Sequence, residues 1–360
     1  MTLGAVGGFE RVRPLGSGGM GEVFFAVSPT ADPVALKVIR QHLVAEPTIR
    51  ERFATEVDSL RLVYGSRVAR LEAADPYGDP PWLAVEYVPG ATLRQHVDAH
   101  GPLPLPLAAM VGAMLADGLA KVHQVGLLHR DLKPQNIILG PDGPKLIDFG
   151  LAVLLDRNDY LTEPGALVGT PAYMSPEQVR GERDLTPAVD IYGLAATLVF
   201  ALTAHGLYPP SNSWNLLLRI TEPTDLPDLS GVPAELTQVL GAMLAHDPEA
   251  RPGLADVRAR LLTVATASSG LSVPDLRREV ASRTYDADSA LPVPPDRQDP
   301  RVDPEGGGPT DVPEPPPAPD TPDEPGAPPA APGRPDVTWL VDRIRHRYAR
   351  RATLLQEGPR

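Results

Sequence analysis

The sequence HRDLKPQN at residues 129–136, followed by DFG at residues 148–150, decides how the rest of this chain is interpreted. Its first stretch places Asp131 five residues before Asn136. An aspartate can accept or orient the proton of an attacking hydroxyl group, and an amide oxygen is a hard ligand for Mg²⁺. Asp148 adds a second hard ligand. This combination of residue types fits phosphoryl transfer. The alternative is that two short polar runs twelve residues apart reflect turn chemistry.

A glycine-rich segment near the N-terminus supplies a second element of a phosphate site. Gly16, Gly18 and Gly21 are spaced so that backbone N–H groups can approach phosphate oxygens with no side chain between them. A dinucleotide-binding turn would need a helix next, whereas residues 23–27 are a β-branched and aromatic run typical of a strand. The glycines are therefore expected in a β-hairpin; alone, they would also fit a flexible turn.

Lys37 lies in the middle of the apolar, strand-like run 34–39, where an unpaired ammonium group would be unfavourable. We expect it to pair with Glu56, on a helical segment of about residues 48–63, and so to be held against the phosphates of ATP. Taken singly, the two residues are better explained as a snorkelling lysine and a surface glutamate. Their joint spacing favours the ion pair.

Together these motifs resemble the Hanks-type, eukaryotic-like serine/threonine protein kinases of bacteria, particularly those of actinobacteria. The resemblance covers about residues 9–265 and extends to Ser-Pro-Glu at residues 175–177. It implies an α+β, bilobal protein-kinase fold. A small antiparallel sheet lobe with one main helix would span about residues 9–86, and a larger, mostly helical lobe about residues 90–265.

The resemblance also implies a reaction and its site residues. ATP would be the phosphoryl donor, Mg²⁺ or Mn²⁺ the metal, and protein serine or threonine hydroxyls the acceptors. Residues 86–88 resemble the hinge that binds adenine through its backbone. The implied catalytic residues are Asp131, Lys133, Lys37, Glu56 and Thr170; the nucleotide-binding residues are Leu15, Gly16, Gly18, Gly21, Val23, Ala35, Lys37, Glu86, Val88 and Ile138; the metal ligands are Asn136 and Asp148.

Two structural roles follow from the same resemblance. Glu177 is expected to pair with Arg251, and Asp190 is expected to brace the catalytic loop from the start of a central helix. Ordinary core packing would also account for these residues.

Acceptor specificity and regulation depend on residues around the catalytic loop. Lys133 with Thr170 is typical of serine/threonine kinases rather than tyrosine kinases. Arg130 is expected to bind a phosphate on the activation segment, which makes Thr162 the candidate phosphosite. Many relatives carry a second threonine two positions later, but this chain has Pro164 there. The alternative is that Thr162 stays unmodified. Phosphorylation of one copy of the chain by another would need a homodimer.

Composition excludes several other classes. The chain has 360 residues, no cysteine and a net charge of −13, which excludes disulfides and thiolate metal sites and disfavours sequence-independent nucleic-acid binding. The apolar stretch 191–203 is shorter than the roughly 20 residues needed to span a bilayer. The N-terminus does not resemble a signal peptide. We therefore expect a cytoplasmic enzyme.

Composition changes again near residue 286. Of the 50 residues 286–335, 17 are proline, and 11 acidic residues stand against 3 arginines. This segment is expected to be a disordered spacer, with residues 266–285 as the linker before it. Residues 336–357 are expected to form a basic amphipathic helix that lies on an anionic membrane, docks on a partner or folds back on the acidic spacer.

Two other functions compete with the protein kinase interpretation. A pseudokinase scaffold would keep the fold but lack one of the residues Lys37, Asp131, Asn136 and Asp148, and all four are present. A small-molecule phosphotransferase would share the aspartate and asparagine of the catalytic loop. It would not be expected to carry the motif at residues 175–177 together with Arg251.

Overall fold

The computed structural model describes residues 3–149 and 171–287, which form a sheet lobe followed by a helical lobe. The sheet is antiparallel, with the strand order β1-β2-β3-β4-β6-β5. Its strands are β1 (Ala5–Val6), β2 (Phe9–Gly18), β3 (Gly21–Val27), β4 (Pro33–Ile39), β5 (Leu71–Asp75) and β6 (Trp82–Glu86). This is the small sheet lobe expected from the sequence.

The two faces of this sheet have different partners because side chains alternate along each strand. Phe24 and Leu36 are cross-strand neighbours on one face of the sheet. They pack with Phe9 and Trp82 in an apolar cluster that is distinct from the core of the helical lobe. Lys37 points to the opposite face, where Val23 is its cross-strand neighbour on β3. That second face is the one that turns toward the helical lobe.

One α-helix, α1 (Pro47–Leu60), crosses the sheet lobe. It buries Phe53 and Val57 against Ile39 on β4 and Leu83 on β6. The helix therefore covers the same sheet face as the one that carries Lys37. Glu56 precedes Val57 and is therefore carried next to this contact. The helix is consequently the element that sets where the Glu56 carboxylate lies.

The second lobe is mainly helical. Its helices are α2 (Leu93–His100), α3 (Leu105–Gln124), α4 (Pro176–Val179), α5 (Ala188–Thr203), α6 (Ser213–Thr221), α7 (Ala234–Met243), α8 (Leu254–Ser269) and α9 (Val273–Thr284). A two-stranded hairpin, β7 (Ile137–Gly140) and β8 (Gly143–Leu146), precedes α4. Helices α3 and α5 are apolar on nearly every side and form the centre of the lobe.

Helix α3 is long and apolar enough to cross a bilayer by length and composition. Most of it, however, is buried inside the lobe, in contact with α5 and α8. Gly112 shows how closely it packs, because a Cβ atom there would lie 2.7 Å from the side chain of Leu198. We therefore interpret α3 as a core helix.

The segment 266–285, expected from the sequence to be a linker, is instead largely helical. Helix α9 packs on α3 and on the β7–β8 hairpin, and its residues Leu276 and Val280 are fully buried. Ser272 caps its first turn by accepting a hydrogen bond from the backbone N–H of Asp275. Only two apolar residues of α9 reach the core, so its apolar pattern is too sparse to be noticed beside the proline-rich segment that follows.

The burial of α9 generates a stability prediction. Leu276→Ala should lower the free energy of unfolding by about 2–4 kcal/mol, because a large side chain is removed from a filled core. Val273→Ala, at a 38% exposed position of the same helix, is the matched control and should change it by less than about 0.5 kcal/mol. Urea denaturation measures both; equal effects would show that α9 does not belong to the folded core.

Candidate active site

The glycine loop is the tip of the β2–β3 hairpin, as expected. Gly18 and Gly21 face each other across the turn. Gly21 is required by packing, because a Cβ atom there would lie 2.0 Å from the carbonyl oxygen of Val38. At Gly18 an added Cβ would meet nothing within 4 Å, so contacts within the protein do not explain that glycine. Its missing side chain instead leaves the loop backbone open to a close-lying ligand such as phosphate.

Asp131 is positioned by its neighbours in the catalytic loop, residues 129–136. Lys133 Nζ lies 2.9 Å from Asp131 Oδ2, and Asn136 Nδ2 donates to the same oxygen at 3.0 Å. Asn136 Nδ2 also donates to the backbone oxygen of Asp131 at 2.7 Å. The carboxylate is therefore fixed in orientation, and it stays partly accessible at 36% exposure, which a proton acceptor for an incoming hydroxyl group needs.

The backbone of the catalytic loop is held by Asp190 at the start of α5. Its Oδ2 accepts from the backbone N–H of His129 at 2.8 Å and lies 2.7 Å from His123 Nε2, while its Oδ1 accepts from the N–H of Arg130 at 2.8 Å. Burial would raise the pKa of Asp190, but these hydrogen bonds and the nearby histidines hold it below its ordinary value. The predicted brace is thus present, with His123 as an additional partner.

Two residues of the site adopt left-handed backbone conformations. Arg130 has a φ of 63° and Asp148 a φ of 61°. Such angles are uncommon for residues other than glycine and cluster at functional sites, where surrounding contacts maintain them. At Arg130 those contacts include Asp190 and the side-chain amide of Gln178, which donates to the Arg130 carbonyl at 2.7 Å.

The expected ion pair between Lys37 and Glu56 is not formed, which corrects the sequence-based prediction. Lys37 Nζ instead lies 3.1 Å from Asp148 Oδ1, and Glu56 Oε1 lies 3.2 Å from Arg130 Nη1. The prediction that Lys37 needs a carboxylate was right, but the wrong one was chosen. Each cation thus pairs with a different carboxylate from the one expected, and α1 carries Glu56 to Arg130 rather than to Lys37.

The Glu56–Arg130 pair is imperfectly satisfied. Glu56 Oε2 and Arg130 Nε are both buried and have no hydrogen-bond partner among the described residues. Burial raises the pKa of Glu56 to about 7, although the Arg130 guanidinium opposes this shift. Glu56 is therefore held where its charged form is poorly stabilised.

The pKa of Asp148 is shifted in the opposite direction to that of Glu56. Desolvation would raise its pKa, but the ammonium group of Lys37, with a smaller contribution from Lys133, holds the pKa below its ordinary value. The carboxylate is thus ionised at neutral pH. Its segment is anchored to the catalytic loop, because the ring of Phe149 lies 4.7 Å from that of His129 and His129 Nε2 contacts the carbonyl of Ile147 at 3.1 Å.

The residues implied to bind adenine line the region between the two lobes. Val23 and Ala35 share the sheet face of Lys37 and are half-buried, as are Leu15 on β2 and Ile138 on β7. Val88, between β6 and α2, is only 4% exposed. Half-buried apolar side chains on facing elements are what a flat aromatic ligand requires.

The Glu86 side chain has a partner that the sequence did not reveal. Lys145 Nζ on β8 lies 2.5 Å from Glu86 Oε1. This pair ties the segment 86–88 to the strand that ends just before Asp148. Nothing in the spacing of the two residues would have indicated it, because they are 59 positions apart.

Asn136 and Asp148 fit a hard divalent cation by their donor chemistry. The amide nitrogen of Asn136 is engaged by Asp131, which leaves its oxygen as the atom for a metal. Among the described residues there is no cluster of three or more His, Cys, Asp or Glu side chains suited to a metal.

Glu177 and Arg251 form the predicted pair, and it is almost fully buried. Arg251 Nη1 and Nη2 donate to the two Glu177 oxygens at 2.6 and 2.9 Å. The remaining Arg251 donors bind the carbonyls of Ala188 at 2.9 Å and Ala245 at 2.8 Å. This pair fixes α4 against α5, and so positions the start of the segment that follows the activation region.

Some of the predicted site residues lie outside the described part of the chain. They are Thr162, Pro164 and Thr170. The proposed spacer from residue 288 onward and the basic segment 336–357 also lie outside it.

The chain belongs to the protein kinase domain family, whose pattern it matches over residues 9–261. It is 42% identical over 260 residues to the probable serine/threonine-protein kinase PkwA of Thermomonospora curvata, a match that covers 72% of this chain and 34% of PkwA. It is 40% identical over 256 residues to the serine/threonine-protein kinase AfsK of Streptomyces coelicolor, covering 71% of this chain and 32% of AfsK. The chain thus spans about a third of the length of these relatives.

A solved structure supports the same fold. The kinase domain of Mycobacterium tuberculosis PknI matches with a TM-score of 0.59 and 26% sequence identity, covering 74% of this chain and 98% of that domain. The expected bilobal α+β protein-kinase fold, and the resemblance to bacterial Hanks-type kinases, are confirmed.

The raised pKa of Glu56 predicts a pH-dependent effect of Glu56→Gln. Between pH 4.5 and about 7 the glutamate ionises in the unfolded chain but not in the folded one, so wild-type stability falls with rising pH through this window. Glutamine does not titrate, so the variant does not lose stability in this pH window. The melting temperature of the variant minus that of the wild type should therefore increase from pH 5 to pH 7.5 and then level off. A difference that is constant with pH would contradict the assignment.

The buried Glu177–Arg251 pair predicts a large effect when one partner is removed. Arg251→Met should lower the free energy of unfolding by about 3–5 kcal/mol, because it leaves an unpaired buried carboxylate. Arg258→Met is the matched control, since it breaks a pair with Asp117 in which both side chains are about half-exposed, and it should change stability by less than about 1 kcal/mol. Chemical denaturation distinguishes them; similar losses would contradict the role of burial.

Proposed function

We propose that this chain is a serine/threonine protein kinase that transfers the γ-phosphoryl group of ATP to hydroxyl groups of proteins. Two neighbouring groups of side chains carry the proposal: Lys133 and Asn136 hold Asp131 at 2.9 and 3.0 Å in the catalytic loop, and Lys37 lies 3.1 Å from Asp148. The charge of Lys133 also acts on Asp148. The serine/threonine kinases PkwA and AfsK, which are 42% and 40% identical to this chain, support it.

Asp131 is the residue proposed to act on the acceptor. Its Oδ2 is held by Lys133 and Asn136, so the carboxylate can accept the proton of a hydroxyl group as that oxygen attacks phosphorus. Lys133 lies close enough to neutralise negative charge on the group being transferred. These residues thus combine proton acceptance with charge stabilisation in one fixed loop.

Nucleotide and metal binding are assigned to the neighbouring elements. The glycine loop and Lys37 would hold the phosphates, the segment 86–88 and the half-buried apolar residues would hold adenine, and Asn136 with Asp148 would hold Mg²⁺ or Mn²⁺. When bound, the metal would neutralise charge on the phosphate oxygens. The open space above Gly18 and the unused amide oxygen of Asn136 support this assignment.

We also propose that the pairing observed here is an inactive arrangement. Glu56 is held by Arg130, whereas supporting Lys37 on the phosphates would require Glu56 to move to Lys37 and free Asp148 for the metal. The poorly stabilised charge of Glu56 favours such an exchange. A phosphate at Thr162 would compete for Arg130 in the same direction, and transfer between two copies would need a transient homodimer.

The competing functions are less well supported. A pseudokinase would be expected to lose part of the polar cluster, yet each of its members is present and placed by hydrogen bonds. A small-molecule phosphotransferase would not need the buried Glu177–Arg251 pair that fixes α4. Burial of α3, together with the relatives, supports a cytoplasmic protein kinase that acts on protein substrates.

The proposed role of Asp131 is tested by Asp131→Asn. Transfer of labelled phosphate from ATP to a generic protein substrate should fall by roughly 100- to 10,000-fold, because the proton acceptor is lost. The affinity for ATP should stay within about 3-fold, since Asp131 does not line the nucleotide site. Asp117→Asn, at a surface position, is the control and should keep full activity.

Phosphoamino-acid analysis of the product tests acceptor specificity in the same assay. The label should be found on serine and threonine. Label on tyrosine alone, or undiminished transfer by Asp131→Asn, would contradict the proposal.

A further inference from the structure

Helix α6 presents an exposed apolar surface that the catalytic site does not use. Trp214 and Leu218, one helical turn apart, are 63% and 51% exposed, and Leu226 in the following loop is 76% exposed. Arg219 holds this loop against the last turn of the helix through Asp225, at 2.7 and 3.0 Å. We call Trp214, Leu218 and Leu226 the α6 surface.

The opposite side of α6 is firmly seated. Leu216, Leu217 and Ile220 are buried against Val179 of α4, with Ala172 and Met174 beside them. The α6 surface therefore lies on the outer face of a helix whose inner face packs on the residues that follow the activation region. A segment that covers the surface would stand one helix diameter, roughly 10 Å, from those residues.

The α6 surface has an acidic border. Residues 213–230 contain three carboxylates, those of Glu222, Asp225 and Asp228, and one basic residue, Arg219. Hydrogen bonds hold the pKa of each of these carboxylates below its ordinary value, so all three are charged at neutral pH. Because Asp225 is paired with Arg219, Glu222 and Asp228 are the carboxylates that suit an apolar stripe accompanied by arginines.

The chain itself contains a segment of that chemistry. Residues 336–357 carry Leu340, Ile344 and Tyr348 at four-residue spacing, and five arginines fall within residues 343–351. The acidic spacer would satisfy the arginines but not the apolar stripe, because Leu291, Val293, Val302 and Val312 are its only sizeable aliphatic residues. The α6 surface offers apolar side chains to the apolar stripe, and its acidic border offers carboxylates to the arginines.

The spacer is long enough to allow this contact. A flexible chain of 50 residues has a root-mean-square span of about 40 Å, and prolines extend it further. A domain of this size has a radius of gyration of about 18 Å. The segment can therefore reach α6 from the end of α9 wherever the two lie on the lobe.

We propose that residues 336–357 dock on the α6 surface of their own chain and hinder access of protein substrates. The hindrance rests on the proposed kinase function, whereas the docking does not. Because α6 is an element of the helical lobe away from the glycine loop and the hinge, docking leaves the nucleotide site open.

Hydrogen–deuterium exchange of the 360-residue protein tests the docking without relying on activity. Reversing three charges, in Arg343→Glu/Arg345→Glu/Arg347→Glu, should increase deuterium uptake in residues 212–228 at least 2-fold. Trp214→Ser/Leu218→Ser should reciprocally increase uptake in residues 336–357. The matched control is Leu62→Ser/Tyr64→Ser, which removes another exposed apolar pair, 61% and 74% exposed, and should leave uptake in residues 336–357 unchanged.

Several outcomes would overturn the proposal. Unchanged uptake in both variants would show that the two segments do not meet. Protection of residues 212–228 that disappears on 50-fold dilution would identify a second copy as the occupant. Protection of residues 336–357 that arises only with anionic phosphatidylserine vesicles would assign the segment to a membrane instead.

The inhibitory effect is measured separately. The triple arginine variant should phosphorylate a protein substrate several-fold faster than the wild type, with the KM for ATP unchanged. An exchange response without any phosphoryl transfer by either protein would retain the docking and reject the kinase function. Equal rates for the two active proteins would reject the inhibition.

Discussion

The buried carboxylate of Asp190 is the contact on which the active site depends. One side chain, 1% exposed, accepts hydrogen bonds from two consecutive backbone N–H groups of the catalytic loop and meets the ring of His123. A buried carboxylate must keep such partners, because leaving it unpaired would be very unfavourable. The loop that carries Asp131 is therefore tied to α5, a helix that is buried along nearly its whole length. His129 extends this anchor to the Asp148 segment through Phe149 and Ile147.

The charged groups above this anchor are not fixed in the same way. Lys37 pairs with Asp148, and Arg130 pairs with Glu56. Glu56 is carried by α1, which contacts the sheet through a small apolar cluster. The Glu56–Arg130 pair leaves one buried oxygen and one buried nitrogen without a hydrogen-bond partner among the described residues. The catalytic loop thus has a buried, hydrogen-bonded anchor, whereas the ion pair that involves α1 is less completely satisfied.

The sequence predicts much of this structure because the decisive residues are local. The hairpin glycines, the catalytic loop and the two lobes follow from spacing and periodicity, and the residues of the polar cluster were each identified. Ion-pair partners were harder, because Lys37 is 111 positions from Asp148 and Arg130 is 74 from Glu56. Choosing the carboxylate that pairs with each cation requires the position of α1 in the fold, which no motif encodes. The sequence did not reveal helix α9 or the Lys145–Glu86 pair for a related reason. Each forms contacts with residues that are far away along the chain.

The most direct measurement of this account is phosphoryl transfer by Asp190→Asn. Asparagine keeps the shape of aspartate but turns its NH₂ group toward one of the two backbone N–H donors, which then loses its acceptor, so the catalytic loop should lose its orientation while the nucleotide site is retained. We predict that kcat of the variant falls at least about 100-fold. Its affinity for ATP should be nearly unchanged, and circular dichroism should show that it is still folded. A folded Asp190→Asn protein with wild-type kcat would contradict it.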